Sequence, residues 1–296
     1  MPNWTYNKVV LRDDASFNAI VECMRGEDEG YPTEFDFNRI KECPEILSRC
    51  NTQYETRDMA ACVARELGCT GKIAFDDAAA WLKTKYPNLS IDDQKRSVGL
   101  FDSKVHKVGA IGVDEILAIC EASEGDLSEA DADNGLVCIE ARIGCGTTSG
   151  YEWRCHHWGV KWNATSVYVD KKERSIRFTT PWSPVVDLML EMCEKFHVDA
   201  YYCYDEEQTD VCYGQWWFDA DGDIVESDTP GEFDYDMFCI AADLTDPEQD
   251  YIRWNPDENK VWYHFDDDEG SDAFYALPTV SDTTTQMLRD FLDNRY

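Results

Sequence analysis

The stretch TSVYVDKKERSIRFTTPWSPVVDLMLEMCEKFHVDAYYCY, residues 165–204, decides the fold. Residues 165–170 and 175–180 are β-branched and aromatic and read as strands. Ser183-Pro184 then supplies an N-cap with proline at the first helical position. The spacing predicts a helix over 184–196, with Val185, Leu188, Met189, Met192 and Phe196 on its apolar face. Strand character returns at 198–204 and at 211–218 (VCYGQWWF). Asp219-Ala220-Asp221-Gly222-Asp223 then reads as a hairpin turn into 224–226.

Toward the N-terminus the same alternation recurs. Residues 4–11 (WTYNKVVL) predict a strand, and 15–25 a helix with Phe17, Ile20, Val21 and Met24 on one face, stopped at Gly26. Phe35 and Phe37 alternate with polar neighbours over 33–40, which suggests a second strand, and 136–143 (LVCIEARI) reads as another. Between them, 55–67, 76–86 and 113–122 predict helices punctuated by glycine and Pro87, and 121–134 reads as a linker. Past 229 the pattern suggests a helix near 235–243, aromatic strand pieces at 251–254 and 261–265, and a final helix near 282–293. No repeat of 20–50 residues is present. The expected class is α+β: a sheet domain from 1–50 and 136–228, a helical insertion at 51–135, and an acidic C-terminal region at 229–296.

The chain has 296 residues and a net charge of −33, with 43% hydrophobic residues and ten Trp. So many aromatics exclude a disordered acidic tail. The charge opposes direct contact with nucleic acid and with anionic membranes, and it favours a basic partner. It is unevenly spread. Residues 201–296 hold 26 acidic and 4 basic residues, whereas 141–184 hold 7 basic and 3 acidic. General solubility does not predict such a gradient.

Thirteen cysteines are scattered along the chain. No stretch of 18 apolar residues occurs, and Met1-Pro2-Asn3-Trp4 does not open a signal peptide, so the expected location is the cytosol. Thiols stay reduced there, and most of these cysteines are then small core hydrophobes.

Four motifs occur in order: Met1-Pro2-Asn3-Trp4; Phe35-Asp36-Phe37-Asn38-Arg39-Ile40 with Pro44-Glu45; Trp158-Gly159-Val160-Lys161-Trp162-Asn163; and Phe178-Thr179-Thr180-Pro181-Trp182-Ser183-Pro184. Together they resemble the YubB-like family of phage and plasmid proteins. The resemblance spans 1–47 and about 150–227. It implies a ferredoxin-like sheet and a mobile-element origin, without a reaction. In size and acidity the chain also resembles phage anti-defence proteins of the kind that block the Gabija complex.

Candidate sites are few. Cys145, Cys155, His156 and His157 are zinc-ligand types, but their spacing lacks a tight Cys pair and favours a structural or surface role. Asp219, Asp221, Asp223 and Glu226 depart from the calcium-loop pattern, and a turn explains them more simply. No nucleophile elbow, Walker loop or zinc-protease motif is present, and no metal or cofactor is expected. Trp158, Trp162 and Trp182 are expected in the core and turns. Lys161, Lys171, Lys172, Arg174 and Arg177 are candidates to pair with the acidic tail or to line an oligomer contact.

The partner-binding candidates are Asp266, Asp267, Asp268, Glu269 and Asp272 with Trp254, Trp262 and Tyr263. Aromatics anchor an interface while carboxylates steer a basic partner. The expectation is a non-enzymatic inhibitor that binds a nuclease- or helicase-type defence complex, itself a homo-oligomer. Two alternatives are a metal-dependent enzyme acting on nucleotides or nucleic acid and an assembly protein of a mobile element.

Overall fold

The computed structural model describes residues 3–28, 30–92, 107–125, 127–206, 213–228, 244, 252–255, 260–266 and 272–276. In chain order its elements are β1 (Trp4–Leu11), α1 (Asp14–Cys23), β2 (Gly26–Asp28), β3 (Tyr31–Thr33), α2 (Glu55–Leu67), α3 (Phe75–Lys85), β4 (Ser90–Asp92), β5 (Ala110–Gly112), α4 (Val113–Ala122), α5 (Glu129–Cys145) and α6 (Gly150–His157). There follow β6 (Thr165–Asp170), β7 (Ser175–Pro181), α7 (Val186–Phe196), β8 (Ala200–Glu206), β9 (Tyr213–Phe218), β10 (Ile224–Asp228), β11 (Ile252–Asn255), β12 (Lys260–Asp266) and β13 (Asp272–Ala276). The chain divides into two compact units, Met1–Glu42 with Trp158–Tyr296, and Cys43–His157.

The first unit carries a six-stranded sheet in the order β10-β9-β8-β1-β7-β6, antiparallel at every pairing. β1-α1-β6-β7-α7-β8 is a β-α-β-β-α-β succession, and its strands lie in the order fourth, first, third, second. This is the ferredoxin-like arrangement, extended at the β8 edge by β9 and β10.

Alternation along β1 buries Thr5, Asn7, Val9 and Leu11 and leaves Trp4, Tyr6 and Lys8 less covered. The buried register continues through Phe178 and Ile176 of β7 and Tyr202 and Ala200 of β8. The helices contribute Phe17 and Ile20 from α1, and Leu188, Met189, Met192 and Cys193 from α7. Asp13 caps α1 by accepting the Ser16 N–H at 2.7 Å.

The four sequence motifs converge in this core. Phe35 stacks on Phe178 at 4.9 Å between centroids, and Phe37 meets Trp158 edge-on at 5.7 Å. Asn163 accepts the Phe37 N–H at 2.9 Å and donates its amide to Asp36 at 2.8 Å. Trp158 donates its indole N–H to the Lys41 carbonyl at 2.9 Å. Within the core-and-turn expectation, Trp158 is the core residue, and Trp162 and Trp182 lie in bends, 43% and 52% exposed. Trp182 sits at φ 73°, held by its N–H on the Asn3 carbonyl at 2.9 Å.

The second unit packs α2, α3, α4 and α5 around Met59, Val63, Ile73, Leu82, Ile111, Ile116, Ile119 and Ile139, beside the short parallel pair β4–β5.

Several local expectations are corrected. Residues 136–143 are the interior of α5, not a strand. The buried positions Ala132, Gly135, Cys138, Ile139, Arg142 and Cys145 repeat at three and four residues, the helical period. The 121–134 linker is the end of α4 and the first turns of α5, whose start is fixed by Ser128 and Asp131 capping each other's N–H groups. Over 33–40 the strand ends at Thr33, and Phe37–Arg39 forms a 3-10 turn capped by Asp36, so both phenylalanines are buried without a ladder. Helix α7 begins at Val186 with Val185 at its N-cap and no side-chain cap; Ser183 lies before it, and its carbonyl accepts the Thr180 hydroxyl at 2.8 Å. The helices expected near 235–243 and 282–293 lie outside the described residues.

Candidate functional site

Of the expected partner-binding residues, Trp254 lies in β11, Trp262, Tyr263 and Asp266 in β12, and Asp272 in β13. These strands form their own antiparallel sheet with β12 in the centre. Asp266 and Asp272 are register partners, Trp254 pairs with Val261, and Tyr263 pairs with Ile252 and Tyr275. The period of two assigns the Trp254 and Tyr263 positions to one face and those of Trp262, Asp266 and Asp272 to the other. Asp267, Asp268 and Glu269 lie outside the described residues.

A second acidic group stands on the six-stranded sheet. The turn between β9 and β10 is closed by the Gly222 N–H on the Asp219 carbonyl and by the Asp219 N–H on the Asp223 carbonyl, both at 3.1 Å. The Asp219 carboxylate accepts the N–H groups of Asp221 and Asp223, at 3.1 and 2.9 Å. Gly222 sits at φ 82°, where a side chain is strained. This is the hairpin turn that the sequence suggested. Asp221 and Asp223 point outward, exposed, as does Glu226 on β10. β10 is an edge strand among the described residues, and on it Ile224 and Val225 are 51% and 65% exposed.

At the other end of β8, Asp205 is buried. Loss of water pushes its carboxyl up to about 7, with the Glu206 charge adding to the effect and the Glu206 backbone N–H opposing it. Of the cations, Lys8 and Arg177 both pair with Glu173, at 3.0 and 3.4 Å. Arg174 lies 4.0 Å from Asp14. Lys161 stands over the Trp162 ring at 3.9 Å.

In the second unit, Cys145 ends α5, and Cys155, His156 and His157 lie on α6. The two imidazoles meet edge to face at 4.8 Å, and Trp153 lies 4.3 Å from the His157 ring. Among the described residues, no group of three or more His, Cys, Asp or Glu side chains is arranged to hold a metal ion.

This unit contains a polar cluster that no sequence motif announced. Arg142 of α5 is buried and forms ion pairs with Glu115 of α4 at 3.1 Å and Glu55 of α2 at 3.5 Å. Glu55 also accepts a hydrogen bond from the Thr148 hydroxyl. Beside it, Cys50 hydrogen-bonds to the Ile46 carbonyl at 3.4 Å and lies 4.0 Å from the Val137 carbonyl. The buried Cys138 thiol lies near Cys50. The Cys138 contact lowers the Cys50 pKa against the cost of burial. The Glu55 charge opposes the lowering, and Arg142 and Arg49 add to it. Cys138 is pushed up by the same contact and by burial. The signal in the sequence is the helical recurrence of Cys138, Arg142 and Cys145 along 129–145, visible only once that segment is read as a helix.

Residues 157–246 match the family described as the ferredoxin-like domain in Api92-like protein. The crystal structure of protein Api92 from Yersinia pseudotuberculosis is similar at 13% identity and a TM-score of 0.36, over 79% of this chain and 100% of that one. No curated protein matches the chain. The ferredoxin-like domain expected from the motifs is therefore present. No helix among the described residues is long and apolar enough to cross a membrane.

Proposed function

We propose that this protein is a non-enzymatic, phage-encoded inhibitor. Its acidic C-terminal third occupies the basic, nucleic-acid-binding surface of a bacterial DNA-handling defence complex such as Gabija. The observation that carries the reading is the placement of charge. Five of the ten residues 219–228 are Asp or Glu and none is basic. They surround an edge strand that exposes Ile224 and Val225.

Carboxylates at the rim of such a strand steer a basic protein into contact, and the apolar side chains then bury area against it. Duplex DNA presents about one charge per 1.7 Å of its axis, so a dense row of carboxylates competes for the same basic groove. The aromatic and acidic positions of β11–β13 extend this character along the C-terminal third. The YubB-like resemblance supports the mobile-element origin.

The test is affinity capture with the full chain as bait in a bacterial host that carries defence systems. A DNA-binding nuclease or helicase is expected at low salt, released by added duplex DNA and by raised ionic strength. Recovery of no such protein at low salt overturns the reading.

A further inference from the structure

We propose that copies of this chain join edge to edge, β10 of one copy pairing with β6 of the next, so that the six-stranded sheet runs on across the contact. This contact is independent of the inhibitor reading. β10 and β6 are the two edges of that sheet among the described residues. An edge strand presents backbone N–H and C=O groups to any strand that can reach them. Both edges also carry exposed apolar side chains. Asp223 through Ser227 are all exposed, Ile224 and Val225 among them, and on β6 Tyr168 is 59% exposed.

Charge decides which edges meet. Residues 219–228 hold five acidic residues and no basic one. Residues 168–177 hold Lys171, Lys172, Arg174 and Arg177 against Asp170 and Glu173. Arg177 pairs with Glu173, and Arg174 lies near Asp14, while Lys171 and Lys172 stand exposed on the turn after β6. Two β10 edges would set carboxylates against carboxylates, and two β6 turns would set lysines against lysines. Only β10 against β6 opposes unlike charges.

Topology then fixes the direction. Every pairing is antiparallel, so strand direction alternates across the six strands, and β10 and β6 run in opposite senses. A second copy shifted along the sheet therefore brings its β10 antiparallel to β6 without turning over. The start of β10 comes to lie beside the end of β6. The turns at this end of the sheet are tied in a row. The Leu11 N–H donates to the Arg174 carbonyl at 3.0 Å, the Arg12 N–H to the Asp199 carbonyl at 3.3 Å, and the Ala220 N–H to the Asp199 carboxylate at 2.9 Å. The acidic turn 219–223 of one copy thus meets Lys171 and Lys172 of the next, and Ile224 and Val225 cover area beside Tyr168. A register shift between Thr165 and Tyr168 leaves Tyr168–Asp170, next to the lysines, as the regular stretch of β6. Two different surfaces make a heterologous contact, which builds a ring or an open chain rather than a two-fold dimer. Each β10 so engaged is closed to any other basic partner.

The test is sedimentation velocity of the purified full-length protein, with no host protein present, over a concentration series at physiological ionic strength. Wild type is expected to associate beyond a monomer as concentration rises, with amide exchange in β6 and β10 slowing in parallel. Salt screens this attraction and the overall repulsion between copies at −33 alike, so charge reversal carries the test. Asp221→Lys with Asp223→Lys makes both edges basic, and Lys171→Glu with Lys172→Glu makes both acidic. Each double variant alone should associate at least about tenfold more weakly. An equimolar mixture of the two should recover association, because every β10 then faces an oppositely charged β6. Wild type that stays monomeric throughout overturns the proposal, as does association that neither double variant weakens. So does a mixture that stays apart while both variants keep the wild-type circular dichroism. None of these outcomes involves a host protein, so each leaves the inhibitor reading to its own test.

Discussion

Gly135 of α5 lies directly against the backbone of Asp58 in α2: a Cβ added at Gly135 would overlap the Asp58 carbonyl and crowd the Met59 nitrogen. The absence of a side chain lets the two helices approach at backbone distance. Alanine ordinarily improves a helix interior over glycine by about 1 kcal/mol. Here the sign should reverse, with Gly135→Ala costing about 1–3 kcal/mol through overpacking. Gly144, in the same helix, has nothing within 4 Å of its virtual Cβ, so Gly144→Ala should be neutral or stabilising. Urea midpoints at unchanged slope separate the two variants.

Tyr202 ties the sheet to a helix start. Its hydroxyl donates to Asn7 Oδ1 at 2.6 Å and accepts the Val185 N–H at 3.0 Å, just before α7. Asn7 in turn donates to Thr180 Oγ1 at 2.9 Å. All of this is buried, so Tyr202→Phe leaves a donor and an acceptor unsatisfied. The expected cost is about 1–3 kcal/mol, read as a lower urea midpoint. Amide exchange at Val185 should also quicken more than that at Leu188.

Arg142 joins three helices through Glu55 and Glu115. Arg142→Met should destabilise the Cys43–His157 unit by about 3–5 kcal/mol, because two poorly hydrated carboxylates lose their partner. Arg142→Lys keeps the charge but cannot span both carboxylates, and it should fall between wild type and Arg142→Met in thermal melts.

Legibility followed the reach of each interaction. β1, α1 and β6 through β10 could be read because their patterns are local: alternation against one buried face, or an apolar stripe. Residues 136–143 misled because Leu136, Val137, Cys138 and Ile139 are a short apolar run that periodicity alone does not assign. The Ser128–Asp131 cap is local, three positions apart, whereas the Gly135 crossing against Asp58 is long-range, and together they decide it. Phe35 and Phe37 alternated as a strand does, yet Asp36 and Asn163 hold them in a 3-10 turn, a contact across 127 positions. The Glu55–Arg142 pair joins residues 87 positions apart and carries no local mark.

Asp205 makes stability depend on pH. Its folded carboxyl titrates near 7 against an ordinary value of 3.8, so the folded state binds the proton more tightly between those values. The stability this group contributes is full below about pH 3.8 and is lost as pH rises through 7. The difference at pH 8 is on the order of 4 kcal/mol. Asp205→Asn should match wild type in acid and exceed it at pH 8, measured by urea unfolding at several pH values. An unchanged difference between the two proteins across the range would place the Asp205 carboxylate in water.

The acidic edge can be tested without disturbing the sheet, because its carboxylates divide by role. Asp219 builds the turn through its bonds to the Asp221 and Asp223 N–H groups, so its loss alters structure as well as charge. Asp221, Asp223 and Glu226 are exposed, and their side chains can be exchanged at a stability cost within about 0.5 kcal/mol each. Asp221→Asn, Asp223→Asn and Glu226→Gln together remove three charges and keep shape. If this edge meets a basic surface, the triple variant should bind the captured partner at least tenfold more weakly at low salt. Most of the loss should lie in the association rate, and the salt dependence of binding should flatten. Ile224→Ala and Val225→Ala should instead speed dissociation and leave the salt slope unchanged, since they remove contact area rather than field. Surface plasmon resonance across a salt series distinguishes the two effects. Equal binding by wild type and the triple variant would move the interface away from β10.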